Sequence, residues 1–76
     1  MGMEKVTFDS AKFSARLIEL RKTHKLSQMQ LADATGLSQS AIAKWETGKT
    51  EPTASALIAL ASFYDEKMEY ILGLTD

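Results

Sequence analysis

Apolar residues recur along this chain at helical spacing in five blocks, and no stretch alternates as a strand would. The first block predicts a helix from about Ser10 to Thr23. Phe13, Leu17, Leu20 and His24 form its stripe, and Asp9 or Ser10 can cap its start. The second predicts a helix from about Gln28 to Thr35. Ser27 is its N-cap, Gln30 completes a capping box, Leu31 and Ala32 face inward, and Gly36 ends it. A third follows Ser38 and stops before Gly48, with Ile42 and Trp45 as its apolar pair. The fourth is expected from about Ala54 to Phe63, behind Pro52 and a capping Thr53, with Leu57, Leu60, Ala61 and Tyr64 inward. The fifth is expected from about Glu66 to Leu72, capped by Asp65 and stopped by Gly73. The expected fold is therefore all-α, a compact bundle of five short helices over residues 10–76. Residues 1–9 would be an N-terminal extension in which Met1-Gly2 before Met3 is compatible with a cloning remnant.

Only "TGLS" joins the second and third helices, which forces a tight angle between them. Gly36 suits the positive φ of such a bend, although a glycine that merely ends a helix looks the same. In the third helix, 100° per residue sends Ile42 and Trp45 to one side. Ser40, Ala43 and Lys44 fall on the other, with Gln39 at the edge. Amide, hydroxyl and ammonium groups match the edges of base pairs: Gln pairs with adenine, Ser with several bases, Lys with guanine O6 and N7. Taken alone, the same face also describes an ordinary solvated helix.

Composition removes other classes. Apolar content of 45% and charged content of 25% are those of a globular domain. With no cysteine and one histidine, neither a disulfide framework nor a common zinc site is expected, and no other metal or cofactor is implied. No nucleophile–base arrangement and no Gly-rich phosphate loop suggests an enzyme. "ALIALA" is far too short to span a bilayer, and "MGMEKV" is no signal sequence, so a cytoplasmic protein is expected. The net charge of −1 divides unevenly. Residues 1–50 hold eight Lys/Arg against five Asp/Glu, and residues 51–76 hold one against five. A basic end can dock on phosphate whatever the total charge.

The run "LSQMQLADATGLSQSAIAKWETGKTEP" resembles the helix-turn-helix family of phage lambda repressor and Cro. The resemblance rests on Arg21, Leu26-Ser27-Gln28, Leu31-Ala32, Gly36, Ser38-Gln39-Ser40, Ile42, Trp45, Glu46, Gly48 and Pro52 in their joint spacing. The tail "MEYILGLTD" extends it, so that it covers about Phe13 to Asp76. It implies that the third helix lies in the major groove of duplex DNA, with Gln39, Ser40 and Lys44 reading bases. It implies phosphate contacts from Ser27 and Gln28, and from Thr47, Lys49 and Thr50 beyond the third helix. The residue matching Gln28 also braces the one matching Gln39. Glu51 departs from the more basic phage repressors and weakens the expected non-specific contact. The resemblance further implies an ion pair between Arg21 and Glu46. His24 is expected to be a partly packed helix-end residue. Glu66 replaces a usually apolar residue, which suggests a shorter fifth helix with Glu66 exposed.

The reading is a sequence-specific regulator, most often a repressor, binding a palindromic operator as a homodimer with half-sites about one helical turn apart. Candidate dimer contacts are Met68, Tyr70 and Leu74, with Ile18 as a further contact or a half-buried residue. Activators share the motif. The rival is a protein-interaction module, such as an antitoxin that binds a toxin and its own promoter. Family members often continue beyond the equivalent of "GLTD" into a ligand-binding or oligomerisation domain.

Overall fold

A computed structural model describes residues 5–76; the proposed remnant Met1-Gly2 lies outside the described residues. Among the described residues five helices follow one another: α1 (Ser10–Thr23), α2 (Gln28–Thr35), α3 (Gln39–Glu46), α4 (Ala54–Tyr64) and α5 (Met68–Ile71). The N-caps of the first four act as side-chain acceptors. Asp9 accepts from Lys12 N–H at 3.1 Å, which settles Asp9 rather than Ser10 as the first cap. Ser27 and Gln30 close a capping box, with Gln30 N–H on Ser27 Oγ at 3.0 Å and Ser27 N–H on Gln30 Oε1 at 2.8 Å. Ser38 and Thr53 accept from Ala41 and Ala56 N–H. Each cap satisfies one of the amides that a helix start leaves unpaired.

The helix ends share a second device. The residue closing or following each helix takes left-handed backbone: Lys25 (φ 57°), Gly36 (76°), Gly48 (73°), Asp65 (53°) and Gly73 (76°). At Gly36 nothing within 4 Å would obstruct a Cβ, so the requirement there is conformational. At Gly73 it is also spatial, because a Cβ would lie 2.7 Å from the Lys12 carbonyl oxygen. α5 is thereby pressed closely onto α1.

α1 packs on α3 and α5, α2 on α3 and α4, and α4 on α5. They enclose one core, in which Phe13, Leu17, Leu31, Ile42, Leu60 and Ile71 are fully buried. Leu20, Ala32, Trp45, Ala56 and Tyr64 complete it. Ahead of α1, Phe8 packs against the core with its ring 5.7 Å from that of Phe13.

Four expectations need correction. α4 runs through Tyr64, and Asp65 closes it instead of opening α5: Asp65 N–H bonds Ser62 O and Glu66 N–H bonds Ala61 O. This arrangement uses the last carbonyls of α4 and turns the chain, so a new helix cannot start there. α5 consequently begins at Met68 and ends at Ile71, behind Lys67, which makes no side-chain cap. Glu66 lies outside it and is exposed. His24 leaves the α1 stripe. It is exposed, with Nδ1 2.9 Å from Leu20 O and its ring 4.8 Å from that of Tyr64. Leu57 and Ala61 are only half-buried, flanking the stripe in which Ala56 takes a core place.

Tyr64 carries a buried hydroxyl with no hydrogen-bond partner among the described residues. Burial pushes its ionisation up to about 12, against the pull of the Arg21 charge. Tyr64→Phe should therefore raise stability at neutral pH by about 1 kcal/mol, since it removes an unsatisfied buried group. The folded protein keeps this proton at pH values where the unfolded chain loses it. The parent should lose stability as pH climbs from about 10 towards 12, and the variant should lose less. Chemical denaturation of both proteins at pH 7 and pH 11 measures the two effects; a less stable variant at pH 7 would show that the hydroxyl is bonded.

Candidate nucleic-acid interface

α3 divides its residues sharply. Ile42 and Trp45 are buried, while Gln39, Ser40 and Lys44 are exposed. Ala43, expected among the outward residues, is half-buried. Gln39 and Ser40 occupy the first turn and Lys44 the last, so an amide, a hydroxyl and an ammonium stand on one rigid element.

The rigidity comes from two attachments. Ser14 Oγ on α1 donates to Trp45 O at 2.5 Å, near the end of α3. Beside it, Arg21 grips Glu46 with two nitrogens, Nε to Oε2 at 2.7 Å and Nη2 to Oε1 at 2.9 Å. The third, Nη1, donates to Leu26 O at 2.9 Å. Gln28 Nε2 adds a further bond to Glu46 Oε1 at 3.1 Å. The Arg21–Glu46 pair therefore ties together the end of α1, the link before α2, the first residue of α2 and the end of α3. The Glu46 side chain is 5% exposed and that of Arg21 14%. Burial by itself would raise the Glu46 carboxyl, but the hydrogen bonds from Arg21 and Gln28 outweigh it and hold the group below its ordinary range. The same bond to Glu46 raises the Arg21 guanidinium.

No hydrogen bond braces Gln28 to Gln39 among the described residues; the Gln28 amide nitrogen bonds Glu46. Glu46 offers a charged acceptor, the stronger partner for an amide N–H. Ser27 Oγ is engaged in its capping box and Thr47 Oγ1 donates to Ala43 O at 3.0 Å. Lys49 and Thr50 are exposed just beyond α3. The Gln28–Glu46 bond has no signal in the sequence, since helical spacing says nothing about which residues of two helices meet. Lys25 does have one. The link between α1 and α2 is short, and a helix that ends sharply often does so through one left-handed residue, the place Lys25 takes.

The residues proposed for the dimer are scattered in exposure. Met68 is exposed at 39%, whereas Leu74 and Ile18 are half-buried. Tyr70 is covered by Arg16, whose guanidinium carbon lies 3.7 Å from the ring centroid. Arg16 also donates to the carbonyls of Tyr70 and Thr75. No helix among the described residues is long and apolar enough to cross a membrane.

The helix-turn-helix family model matches residues 17–71. The chain is 42% identical over 64 residues to the HTH-type transcriptional regulator YobD of Bacillus subtilis, a match covering 84% of this chain and 57% of YobD. It is 34% identical over 61 residues to the HTH-type transcriptional activator BcrR of Enterococcus faecalis, covering 80% of this chain and 30% of BcrR. The chain thus spans 57% of the length of YobD and 30% of that of BcrR. Among solved structures it is similar to the restriction-modification controller protein C.AhdI of Aeromonas hydrophila. The TM-score is 0.76 and the identity 33%, over 83% of this chain and 96% of that one. With its five-helix architecture, its match over most of the chain and its likeness to these regulators, the protein belongs to the helix-turn-helix family of lambda repressor and Cro.

Proposed function

We propose that the domain binds duplex DNA sequence-specifically through α3 and, as a cytoplasmic two-fold dimer on a palindromic operator, most often represses transcription. The observation that carries this reading is the polar face of α3, exposed and held rigid by the Arg21–Glu46–Gln28 network. A reader must present its donors and acceptors in fixed positions, because each base pair shows its own pattern at fixed positions. Gln39, Ser40 and Lys44 read bases, while Ser27, Gln28, Thr47, Lys49 and Thr50 face the phosphates. Gln28 does so with the part of its side chain not spent on Glu46. Met68 and Leu74 serve the dimer, and Tyr70 contributes what Arg16 leaves uncovered. The coarse level of this reading has direct support in the family match and in the regulator relatives.

The test is to select preferred duplexes from random sequence, then to challenge variants with every single-base change in the selected site. Gln39→Ala and Lys44→Ala should leave melting nearly unchanged, since both side chains are exposed. Each should weaken binding by about 1–3 kcal/mol at particular base positions only. Lys49→Ala should weaken all sequences alike, because a phosphate carries no base identity. If both α3 variants bind the panel as the parent does, α3 is not the reader, and a protein-binding role for its polar face becomes the better account.

A further inference from the structure

The five left-handed helix ends are not equivalent. Three are glycines and one is Asp65, a residue type whose short polar side chain tolerates this backbone. Lys25, at φ 57°, has neither excuse. Its conformation is imposed from both sides. Lys25 N–H bonds Lys22 O at 3.0 Å, Leu26 N–H bonds Arg21 O at 3.0 Å, and Leu26 O receives the Arg21 guanidinium. A glycine would make this turn with less strain. The Lys25 side chain is exposed and forms no ion pair among the described residues, so packing and charge pairing within the domain do not account for it.

The surroundings supply a reason. Arg21 bonds both Leu26 O and Glu46, so the turn carrying Lys25 is fastened to the end of α3. Lys22 in the last turn of α1 and Lys44 in the last turn of α3 are exposed, as Lys25 is, while the Glu46 carboxylate is paired with Arg21. A cation on a strained turn that Arg21 fastens to the end of α3 suits a ligand with a fixed line of negative charge.

We propose that Lys25 is a phosphate-contacting residue that clamps the DNA backbone and fixes the register of α3 on it. This rests on the DNA-binding reading above. The ligand is the phosphodiester, so the contact is blind to sequence. Left-handed strain is retained at this residue because glycine, which relieves it, would lose the ammonium.

The two roles separate in sign. Lys25→Gly should melt about 4–8 °C higher, the shift expected for modest strain relief in a domain of this size. It should nonetheless bind about 5–10-fold more weakly near 0.1 M salt, and its salt dependence should flatten by about 0.9 in log–log slope, as one counterion fewer is released. Lys25→Gln keeps a β-carbon and should lose the same affinity and slope with no gain in melting temperature. Lys25→Arg should keep both. The probes are a duplex selected from random sequence with the parent protein and a shuffled duplex of equal length, and the loss should be equal on the two. Unchanged affinity and slope in the glycine and glutamine variants, with the parent binding normally, would overturn the proposal and leave the DNA-binding reading intact. A loss confined to the selected duplex would overturn it too, since that is base reading. A parent that binds neither duplex would overturn the DNA-binding reading and this proposal together.

Discussion

Replacing Trp45 with alanine is expected to remove a large share of the stability of the domain. Trp45 is 5% exposed and is the single tryptophan of the chain. Its ring meets Phe13 edge-on at a centroid separation of 6.2 Å, so α3 is wedged against α1 by an aromatic pair. Removing a buried tryptophan side chain costs about 3–5 kcal/mol through lost transfer energy and the cavity left behind. A domain of this length has about 4–11 kcal/mol in all, at the usual stability per residue. The neighbours cannot fill the space cheaply. Phe13 and Ile42 are fully buried, and the Trp45 carbonyl is held by Ser14. Far-UV circular dichroism against temperature gives the answer: a midpoint falling by more than about 12 °C is expected for a loss of this size. A fall of only a few degrees would mean that α3 is seated mainly by the polar network beside it. Trp45→Phe, which keeps an aromatic surface against Phe13, should fall between the two.

Glu46→Ala should cost about 2–3 kcal/mol, less than a fully buried pair broken on one side because Arg21 keeps some contact with water. The loss has two parts. The alanine variant leaves Arg21 with a single acceptor, Leu26 O, and leaves the Gln28 amide without one. Changing Arg21 and Glu46 together to apolar residues of similar length should cost less than the two single changes added, and that shortfall is their coupling. The acid limb supplies an independent check. The Glu46 carboxyl is held below its ordinary range in the folded state, so its stabilisation is fully present above the unfolded value of about 4.3. It fades as pH falls through the lower folded value, where the carboxylate takes up its proton. The stability gap between parent and Glu46→Gln should therefore be flat above about pH 5 and shrink below about pH 4. A gap independent of pH would indicate that the charge of Glu46 contributes nothing. The same variants bear on binding, since the network fixes the angle of α3. Loss of affinity across all base positions in Glu46→Ala, with specificity retained, would mark it as a positioning residue.

Much of the site is legible in the linear pattern of residues. Gln39, Ser40 and Lys44 share a helix face by periodicity alone, and Ile42 and Trp45 define the opposite face by being apolar. The caps Ser27, Ser38 and Thr53 are visible because capping is local, a side chain bonding a backbone group three residues on. Asp65 departs from its expected role for a physical reason. A short polar residue between helices serves equally as an N-cap or as a left-handed C-terminal residue, and local sequence does not separate the two. The turn is closed by bonds to Ala61 and Ser62, which stop α4 and delay α5. His24 departs similarly. Its spacing continues the α1 stripe, but it follows the last residue of α1 and is exposed, meeting the core edge at the Tyr64 ring.

The sequence by itself determined what short-range physics controls: five helices, three of their starting caps, the apolar stripes of α1 and α3, and a tight angle between α2 and α3. Each depends on residues within about one helical turn of one another, so a linear pattern carries it. Only the tertiary structure decided what joins those helices. That Gln28 bonds Glu46 and not Gln39, that Arg16 covers Tyr70, and that Gly73 lies against the Lys12 backbone are meetings between residues far apart in the chain. Such contacts are set by how whole helices pack, and periodicity along one helix holds no information about the face of another.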